Sequence, residues 1–165
     1  MRKIIVSDAS PLIALAKLDL LELLFVSFSE VHIPQAVVHE ATQDRYRNDS
    51  NLIHAFITQN SSVIVHENQA NKTYAVYRNI LDEGESQALA LADSLSSGIL
   101  IDERLGRKIA KQHHIPVVGV MGVLLQAKTK GKIPSIRPLI ERLLENDYRL
   151  SARVIQLVLK RAEEL

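Results

Sequence analysis

Short runs of apolar residues alternate along this chain with longer segments whose apolar residues recur at helical spacing. The runs are continuous and rich in β-branched residues, which is typical of strands that are buried on both faces. Because helical segments of ten or more residues separate the strands, we expect parallel pairing through right-handed crossovers. The predicted strands lie at residues 4–6, 30–33, 63–65, 99–101 and 117–118.

The intervening segments predict helices by their spacing, their Ala and Leu content and their flanking residues. Ser10 followed by Pro11 predicts a helix start, with helix to about residue 17 and again, after Asp19, to about residue 25. Further helices are predicted at residues 34–43, 51–59, 85–97, 103–114 and 121–132, with one or two over 135–165, broken near 146–148. The polar residues 67–79 are predicted as a loop with a helical turn around 74–80.

This alternation predicts an α/β fold, a three-layer α/β/α sandwich around a parallel sheet of about five strands. The chain has 165 residues, the length of one domain, and 47% of them are apolar, enough for a sizeable core. Ligands of such sheets bind at the carboxyl ends of the strands. Asp8 and Asp102 come at the ends of two predicted strands, so we expect both at the functional site.

The composition excludes several kinds of site. The chain has no cysteine, which excludes a disulfide framework, a thiolate nucleophile and any Cys-ligated zinc or iron–sulfur centre. Charged residues interrupt every apolar run near the N-terminus before the roughly 20 residues needed to span a bilayer. No signal-peptide cleavage pattern follows them. We therefore expect a cytoplasmic protein that does not enter the membrane.

The near-neutral net charge of +1 conceals an uneven distribution. Residues 1–103 carry 7 Lys and Arg against 14 Asp and Glu, whereas residues 104–165 carry 13 against 5. A basic part of this kind suits a polyanionic partner, and an acidic part can hold the cations that mediate contact with it. The alternative is that surface charge varies along the chain without function.

Two glutamates are expected to point toward the interior. Glu85 begins the apolar stripe of its helix, and Glu40 follows Ala36 and Val37 at helical spacing. The same stripes contain no Lys or Arg that could neutralise a buried carboxylate. Carboxylates without Cys or clustered His ligands suit Mg²⁺ or Mn²⁺ rather than zinc.

A structural role remains the alternative for all four acids. Asp8 and Asp102 have the chemistry and position to cap the helices that follow them. Glu85 has the position to interact with the N-terminus of its own helix, and Glu40 then lies on the surface.

Other constellations are weaker. The six histidines show no metal-ligand spacing with acids on one helix face, and G-x-S-x-G, Walker A and G-x-G-x-x-G patterns are absent from the sequence. An aspartyl-phosphate phosphatase would have a second Asp two residues after Asp8, where Ser10 stands. Basic residues follow Asp102 at helical spacing and form either a solvated face or a phosphate-binding set; they are Arg104, Arg107, Lys108 and Lys111.

Four sequence segments, taken in order, resemble the PIN domain, in particular a prokaryotic PIN-like subgroup. They read VSDAS, VVHEA, GESQALALA and ILIDERLGRKIA. The resemblance covers roughly residues 3–125 and leaves 126–165 as a C-terminal helical extension of a single domain, residues 1–165. PIN domains are metal-dependent ribonucleases built on a parallel five-stranded sheet, and many are toxins of toxin–antitoxin pairs of the VapBC kind.

Carried over by position, the resemblance implies an acidic metal pocket formed by Asp8, Glu40, Glu85 and Asp102, with Ser10 hydrogen-bonding beside Asp8. The chain also departs from the family pattern. The third acid is commonly Asp and is Glu85 here, and the Thr or Ser often found just before the last acid is replaced by Leu100 and Ile101. Glu103 is adjacent to Asp102 and competes with it as a ligand.

The resulting hypothesis is an Mg²⁺- or Mn²⁺-dependent endoribonuclease, with the toxin of a toxin–antitoxin pair as its role. The ion lowers the pKa of a water and neutralises the scissile phosphate, while Arg104, Arg107 or Lys108 positions the RNA backbone. The expected partners are RNA, an antitoxin protein and a second copy of the chain, the last because residues 12–25 carry more apolar surface than one helix usually buries. The alternatives are a catalytically weak nucleic-acid-binding or protein-interaction module and a metal-dependent phosphatase.

Overall fold

A computed structural model of the chain describes residues 3–44 and 46–165. Its centre is a sheet of five parallel strands in the order β3-β2-β1-β4-β5. Helices occupy every connection between consecutive strands, so the predicted three-layer α/β/α architecture is confirmed. The strands are β1 (Ile4–Ser7), β2 (Glu30–Pro34), β3 (Val63–His66), β4 (Gly98–Leu100) and β5 (Val117–Val118).

The strand order creates a crevice beside the central strand. From β1 the chain builds β2 and β3 on one side, then crosses back over β1 to build β4 and β5 on the other. Ligands of open parallel sheets bind at such a reversal, at the carboxyl ends of the strands. Ser7 of β1 pairs with Leu100 of β4, and the N–H of Asp8 donates to the Leu100 carbonyl at 2.9 Å. Asp8 therefore lies at this crevice.

The helices agree with the predicted alternation. A 3₁₀ helix (Leu21–Leu23) directly precedes α2. None of the described helices is long and apolar enough to cross a bilayer. The α-helices are α1 (Ala9–Lys17), α2 (Leu24–Ser27), α3 (Gln35–Thr42), α4 (Asn48–Gln59), α5 (Lys72–Arg78), α6 (Glu83–Leu95), α7 (Arg104–Gln112), α8 (Val120–Thr129), α9 (Arg137–Glu145) and α10 (Ala152–Arg161).

The core lies between the sheet and its helices. The central strands β1 and β4 are buried after their first residue, because parallel strands are covered on both faces. Helix α6 contacts β1, β2 and β4 and buries Ala88, Ala90 and Ala92, whose small side chains allow a close approach to the sheet. Six of the seven leucines of residues 12–25 are also buried within the monomer, and Leu20 is partly buried against the core. The six are Leu12, Leu15, Leu18, Leu21, Leu23 and Leu24. That segment therefore no longer supports the predicted dimer.

Three predicted boundaries were wrong. Helix α1 begins at Ala9, with Asp8 rather than Ser10 at the N-cap position. Helix α4 begins at Asn48, three residues before the predicted start at residue 51. The helical turn predicted around residues 74–80 is a longer helix that begins earlier, α5, which Asn71 caps by accepting the N–H of Tyr74 at 2.9 Å. The packing of Tyr77, which is 1% exposed, holds this polar helix to the core.

The C-terminal region forms two helices separated at the predicted break. Asp147 has a φ of 64° there, in the left-handed region. Glu164 fastens the chain end to the start of α9: one carboxylate oxygen accepts the N–H of Ile136 at 2.8 Å, and the other accepts the N–H of Arg137 at 3.0 Å. Lys128 of α8 donates to the same carboxylate at 2.9 Å. These bonds fix the last residues against the body of the domain.

Gly106 of α7 provides a test of the packing around the end of β4. A Cβ at this position would lie 2.5 Å from Ile101 Cδ1, and Ile101 is fully buried. We expect Gly106→Ala to lower the free energy of unfolding by about 1–3 kcal/mol, the usual cost of overpacking. Urea unfolding measures this change.

Gly122→Ala in α8 is the matched control. A Cβ there would lie 3.7 Å from Val118 Cγ1, an ordinary contact. Alanine should be neutral or stabilise by up to about 1 kcal/mol, because it has the higher helix propensity. Equal losses in the two variants would contradict the packing described at Gly106.

Candidate active site

Asp8 is the most deeply buried acid of the crevice, with 3% of its surface exposed. Its backbone holds the N-cap position of α1, but its carboxylate accepts no capping hydrogen bond. Helix capping therefore does not account for its burial. The Ser7 hydroxyl donates to the Asp8 carbonyl at 2.9 Å. Ser10 was expected to hydrogen-bond beside Asp8, but its exposed side chain makes no hydrogen bond within residues 3–44 and 46–165.

Burial raises the pKa of Asp8 to about 7, because removal from water disfavours the charged form. The neighbouring N–H of Ala9 lowers this pKa, whereas the negative charges of Glu40, Asp82 and Glu103 raise it further. None of these principal contributions comes from a cation. Asp8 therefore carries a negative charge only at an energetic cost in the metal-free protein.

Glu85 shares this environment from the first turn of α6, where its side chain is half-buried. Burial, followed by the charges of Asp82, Asp8 and Glu103, raises the pKa of Glu85 to about 8. The Glu85 N–H donates to Asp82 Oδ1 at 2.9 Å, so Asp82 rather than Glu85 caps the helix. The Glu85 carboxylate remains directed at the acids of the crevice.

Asp82 is a fifth acid that the sequence analysis missed. It is exposed, yet its charge raises the pKa of Asp8, Glu40 and Glu85. The signal for it was present: residues 82–85 read Asp-x-x-Glu, the spacing of a capping box at a helix start.

Glu40 reaches the crevice from α3. It is exposed rather than inward-facing, which corrects the expectation from its apolar stripe. Partial burial of its carboxylate and the charge of Asp82 raise its pKa. Glycine at position 84 permits the approach, because a Cβ there would lie 2.5 Å from Glu40 Oε2. The carboxylate of Glu40 therefore lies against the first turn of α6.

Asp102 makes its contacts toward α8. Its Oδ1 accepts the N–H of Val120 at 3.2 Å and lies 4.0 Å from a terminal nitrogen of Arg107. Burial raises the pKa of Asp102, while the Tyr148 hydroxyl, the Val120 N–H and Arg107 lower it. Oδ2 is buried and has no hydrogen-bond partner among the described residues. This carboxylate thus supports the start of α8 and retains one free oxygen.

Glu103 has a structural role of its own. Its carboxylate caps α7 by accepting the N–H groups of Leu105 at 3.0 Å and Gly106 at 2.6 Å. Both carboxylate oxygens accept these hydrogen bonds, so Glu103 affects the other acids of the crevice through its negative charge. Glu103 therefore caps a helix, although it was expected from the sequence to compete with Asp102 as a metal ligand.

The predicted basic residues lie together beside the acids. A cavity of about 1070 Å³ is lined by Asp102 and Glu103 at one end and by the basic side chains of α7 along its length. These are Arg104, Arg107, Lys108 and Lys111. Cations beside an acidic crevice form a suitable surface for the phosphates of a polyanion.

Comparison with known protein families gives a match over nearly the whole chain. The sequence profile of the DUF3368 family, described as a PIN domain, matches residues 4–164. The chain belongs to the PIN-domain family. PIN domains are generally nucleases that bind nucleic acid and use divalent metal ions, and the match extends through the C-terminal helices of this one.

No protein of curated function matches this PIN domain. A solved structure, a PilT N-terminus domain protein SSO1118 from the hyperthermophilic archaeon Sulfolobus solfataricus P2, is similar at 17% identity and a TM-score of 0.49. The similarity covers 73% of this chain and 90% of that one.

The donor set of the PIN domain fits a hard divalent cation. The crevice offers carboxylates, and the pKa values of Asp8, Glu40 and Glu85 are raised by burial and by their mutual charges. Bound Mg²⁺ or Mn²⁺ would relieve that repulsion. Within the part of the chain that the structure describes, no three carboxylate or imidazole groups already stand close enough to hold an ion by themselves. Waters or substrate oxygens would therefore complete the coordination.

The raised pKa of Asp8 predicts a pH-dependent stability in the metal-free PIN domain. Between about pH 4 and pH 7 the folded state binds more protons at Asp8 than the unfolded state, so this residue lowers stability as the pH rises. We expect Asp8→Asn to raise the free energy of unfolding at about pH 8 by a few kcal/mol, since one pKa unit corresponds to about 1.4 kcal/mol. Near pH 4 the gain should vanish.

Urea unfolding in the presence of EDTA measures this effect. Glu141→Gln removes the same charge from an exposed position of α9 and should leave stability unchanged at both pH values. A destabilised Asp8→Asn protein at about pH 8 would show that the buried charge is already compensated.

Proposed function

We propose that this PIN domain is an Mg²⁺- or Mn²⁺-dependent endoribonuclease. Asp8, Glu40, Glu85 and Asp102 are the acids proposed to hold the ion, directly or through water. Glu103 and Asp82 add their negative charges to this set. The observation that carries the proposal is the burial of Asp8, whose pKa is raised to about 7 by removal from water and by neighbouring negative charges, with no cation among the principal contributions.

A buried carboxylate without a counter-charge destabilises the fold, so the burial of Asp8 points to a functional role. A divalent cation supplies the missing charge, and clustered acids with perturbed pKa values are typical of functional sites. When bound, the ion supplies a water of lowered pKa and offsets the charge of the scissile phosphate.

The protein's own residues then have separate roles. Asp8 and Glu85 must lose their protons to act as ligands, so they couple binding to pH. One carboxylate oxygen of Asp102 accepts the N–H of Val120, and this hydrogen bond orients the other oxygen, which has no partner among the described residues. Arg104, Arg107 and Lys108 hold the phosphate backbone across the crevice. The toxin role, the antitoxin and the homodimer rest on the family resemblance alone, and sedimentation of the purified protein tests the last of these.

Proton release on metal binding is the first test. The pKa values of about 7 for Asp8 and about 8 for Glu85 mean that both are largely protonated near pH 6.5. Binding of Mn²⁺ should therefore release between about one and two protons, and affinity should rise toward pH 8. Calorimetry in two buffers of different ionisation heat measures the number released.

Variants assign the site. Asp8→Asn should abolish both Mn²⁺ binding and divalent-dependent cleavage of RNA while remaining folded, whereas Glu141→Gln should retain both. Binding without proton release would show that the ion is held elsewhere. Full cleavage activity of Asp8→Asn would refute the assignment of Asp8.

One observation favours a second candidate, a nucleic-acid-binding module of weak or absent activity. No preformed group of three metal-binding side chains occurs in residues 3–44 and 46–165, and Asp102 already supports α8 through Oδ1. RNA binding that weakens steeply with salt, needs no divalent ion and yields no cleavage products would favour this module.

A further inference from the structure

A second groove adjoins Asp102 and Glu103. It has a volume of about 1010 Å³ and runs between α8 and the C-terminal residues 147–161. Asp102, Glu103 and Arg107 line both this groove and the cavity along α7. The two grooves therefore meet at Asp102 and Glu103, at the end of β4, rather than forming independent pockets.

The second groove is basic beyond that junction. Lys3, Arg149 and Arg161 line it, against the single additional acid Asp147. Arg149 and Arg161 are exposed and form no ion pair with any residue that the structure describes, and Lys3 lies over the ring of Phe28 at 5.5 Å. Unpaired cations along a groove concentrate positive potential there and are available to anionic groups.

Apolar side chains form much of the remaining lining. They include Met121, Leu125, Leu150, Val154 and Leu157. Of these, Leu157 is 48% exposed and Val154 is 38% exposed. A groove with cations and exposed apolar surface suits a strand that presents phosphates on one edge and unpaired bases on the other.

The C-terminal wall of this groove is fixed to the body of the domain. Tyr148, Leu150 and Ile155 are partly buried against the hydrophobic core. The Glu164 contacts with Ile136, Arg137 and Lys128 hold the end of α10 in place. A groove that is already ordered loses little entropy on binding.

We propose that Lys3, Arg149 and Arg161 form a second arm of the RNA-binding surface, so that one RNA strand lies across both grooves and passes the acids at their junction. This inference rests on the proposed function and adds the surface contributed by the C-terminal helices. The occupant is a single polyanionic strand with exposed bases.

The test measures RNA binding by fluorescence anisotropy in the Asp8→Asn background, which suppresses cleavage. The arm variant is Arg149→Ala with Arg161→Ala. The control is Arg153→Ala with Lys160→Ala, which removes two exposed charges from α10 outside both grooves. An unstructured RNA, long enough to reach both grooves, and poly-L-glutamate are the probes.

We expect the arm variant to bind this RNA about tenfold or more weakly and the control to bind nearly as the parent. The slope of log affinity against log salt should fall by about 1.4 in the arm variant, since each lost phosphate contact removes about 0.7. With a shorter RNA that fills only the groove along α7, the arm variant and the control should bind with the same affinity.

Three results would overturn the proposal. Equal losses in the arm and control variants would remove the second arm while leaving the ribonuclease proposal intact. Arm-dependent binding of poly-L-glutamate as tight as that of RNA would assign the groove to an acidic protein. Absence of RNA binding by the parent at low salt would refute both this surface and RNA as the substrate.

Discussion

The buried carboxylate of Asp8 is the constraint around which this crevice is built. The sheet order brings the end of β1 against β4, and the carboxyl end of the central strand is where a side chain is most enclosed. An acid in that position is charged only if something compensates for lost hydration. The surrounding charges are negative, so the fold produces a local instability that a divalent cation can relieve. Stability is thus lower where the proposed chemistry needs a metal.

The fold could be predicted from the sequence because its signals are local. Continuous apolar runs such as residues 4–6 and 99–101 required burial on both faces, and the helices between them required parallel pairing. Helix α5 was predicted only as a helical turn around residues 74–80, because its sequence is polar and its support is tertiary, through the buried Tyr77. The leucines of residues 12–25 misled in the opposite direction, because a periodic pattern does not show whether its apolar surface faces the core or another copy.

The site was predictable in part for the same reason. Strand ends placed Asp8 and Asp102, and the Asp-x-x-Glu spacing at residues 82–85 could have added Asp82. The contacts of Asp102 could not be foreseen, because they join residues far apart in the chain: Val120 begins α8, and Tyr148 lies between α9 and α10. The capping role expected for Asp102 belongs to its neighbour Glu103, which uses both carboxylate oxygens to cap α7. Asp102 keeps one oxygen free.

The uneven charge of the sequence acquires a meaning once the elements are placed. Six of the acidic residues of the N-terminal part lie at the crevice, whereas several basic residues of the C-terminal part line the two grooves that meet at Asp102 and Glu103. Opposite charges are thus separated in space. As a result, a cation is attracted to the junction and a polyanion is attracted to its flanks. A polyanion lying along the flanks would be repelled by the carboxylates at the junction until a cation occupies it. Metal and nucleic acid are therefore expected to favour each other's binding, because each offsets the charge that opposes the other.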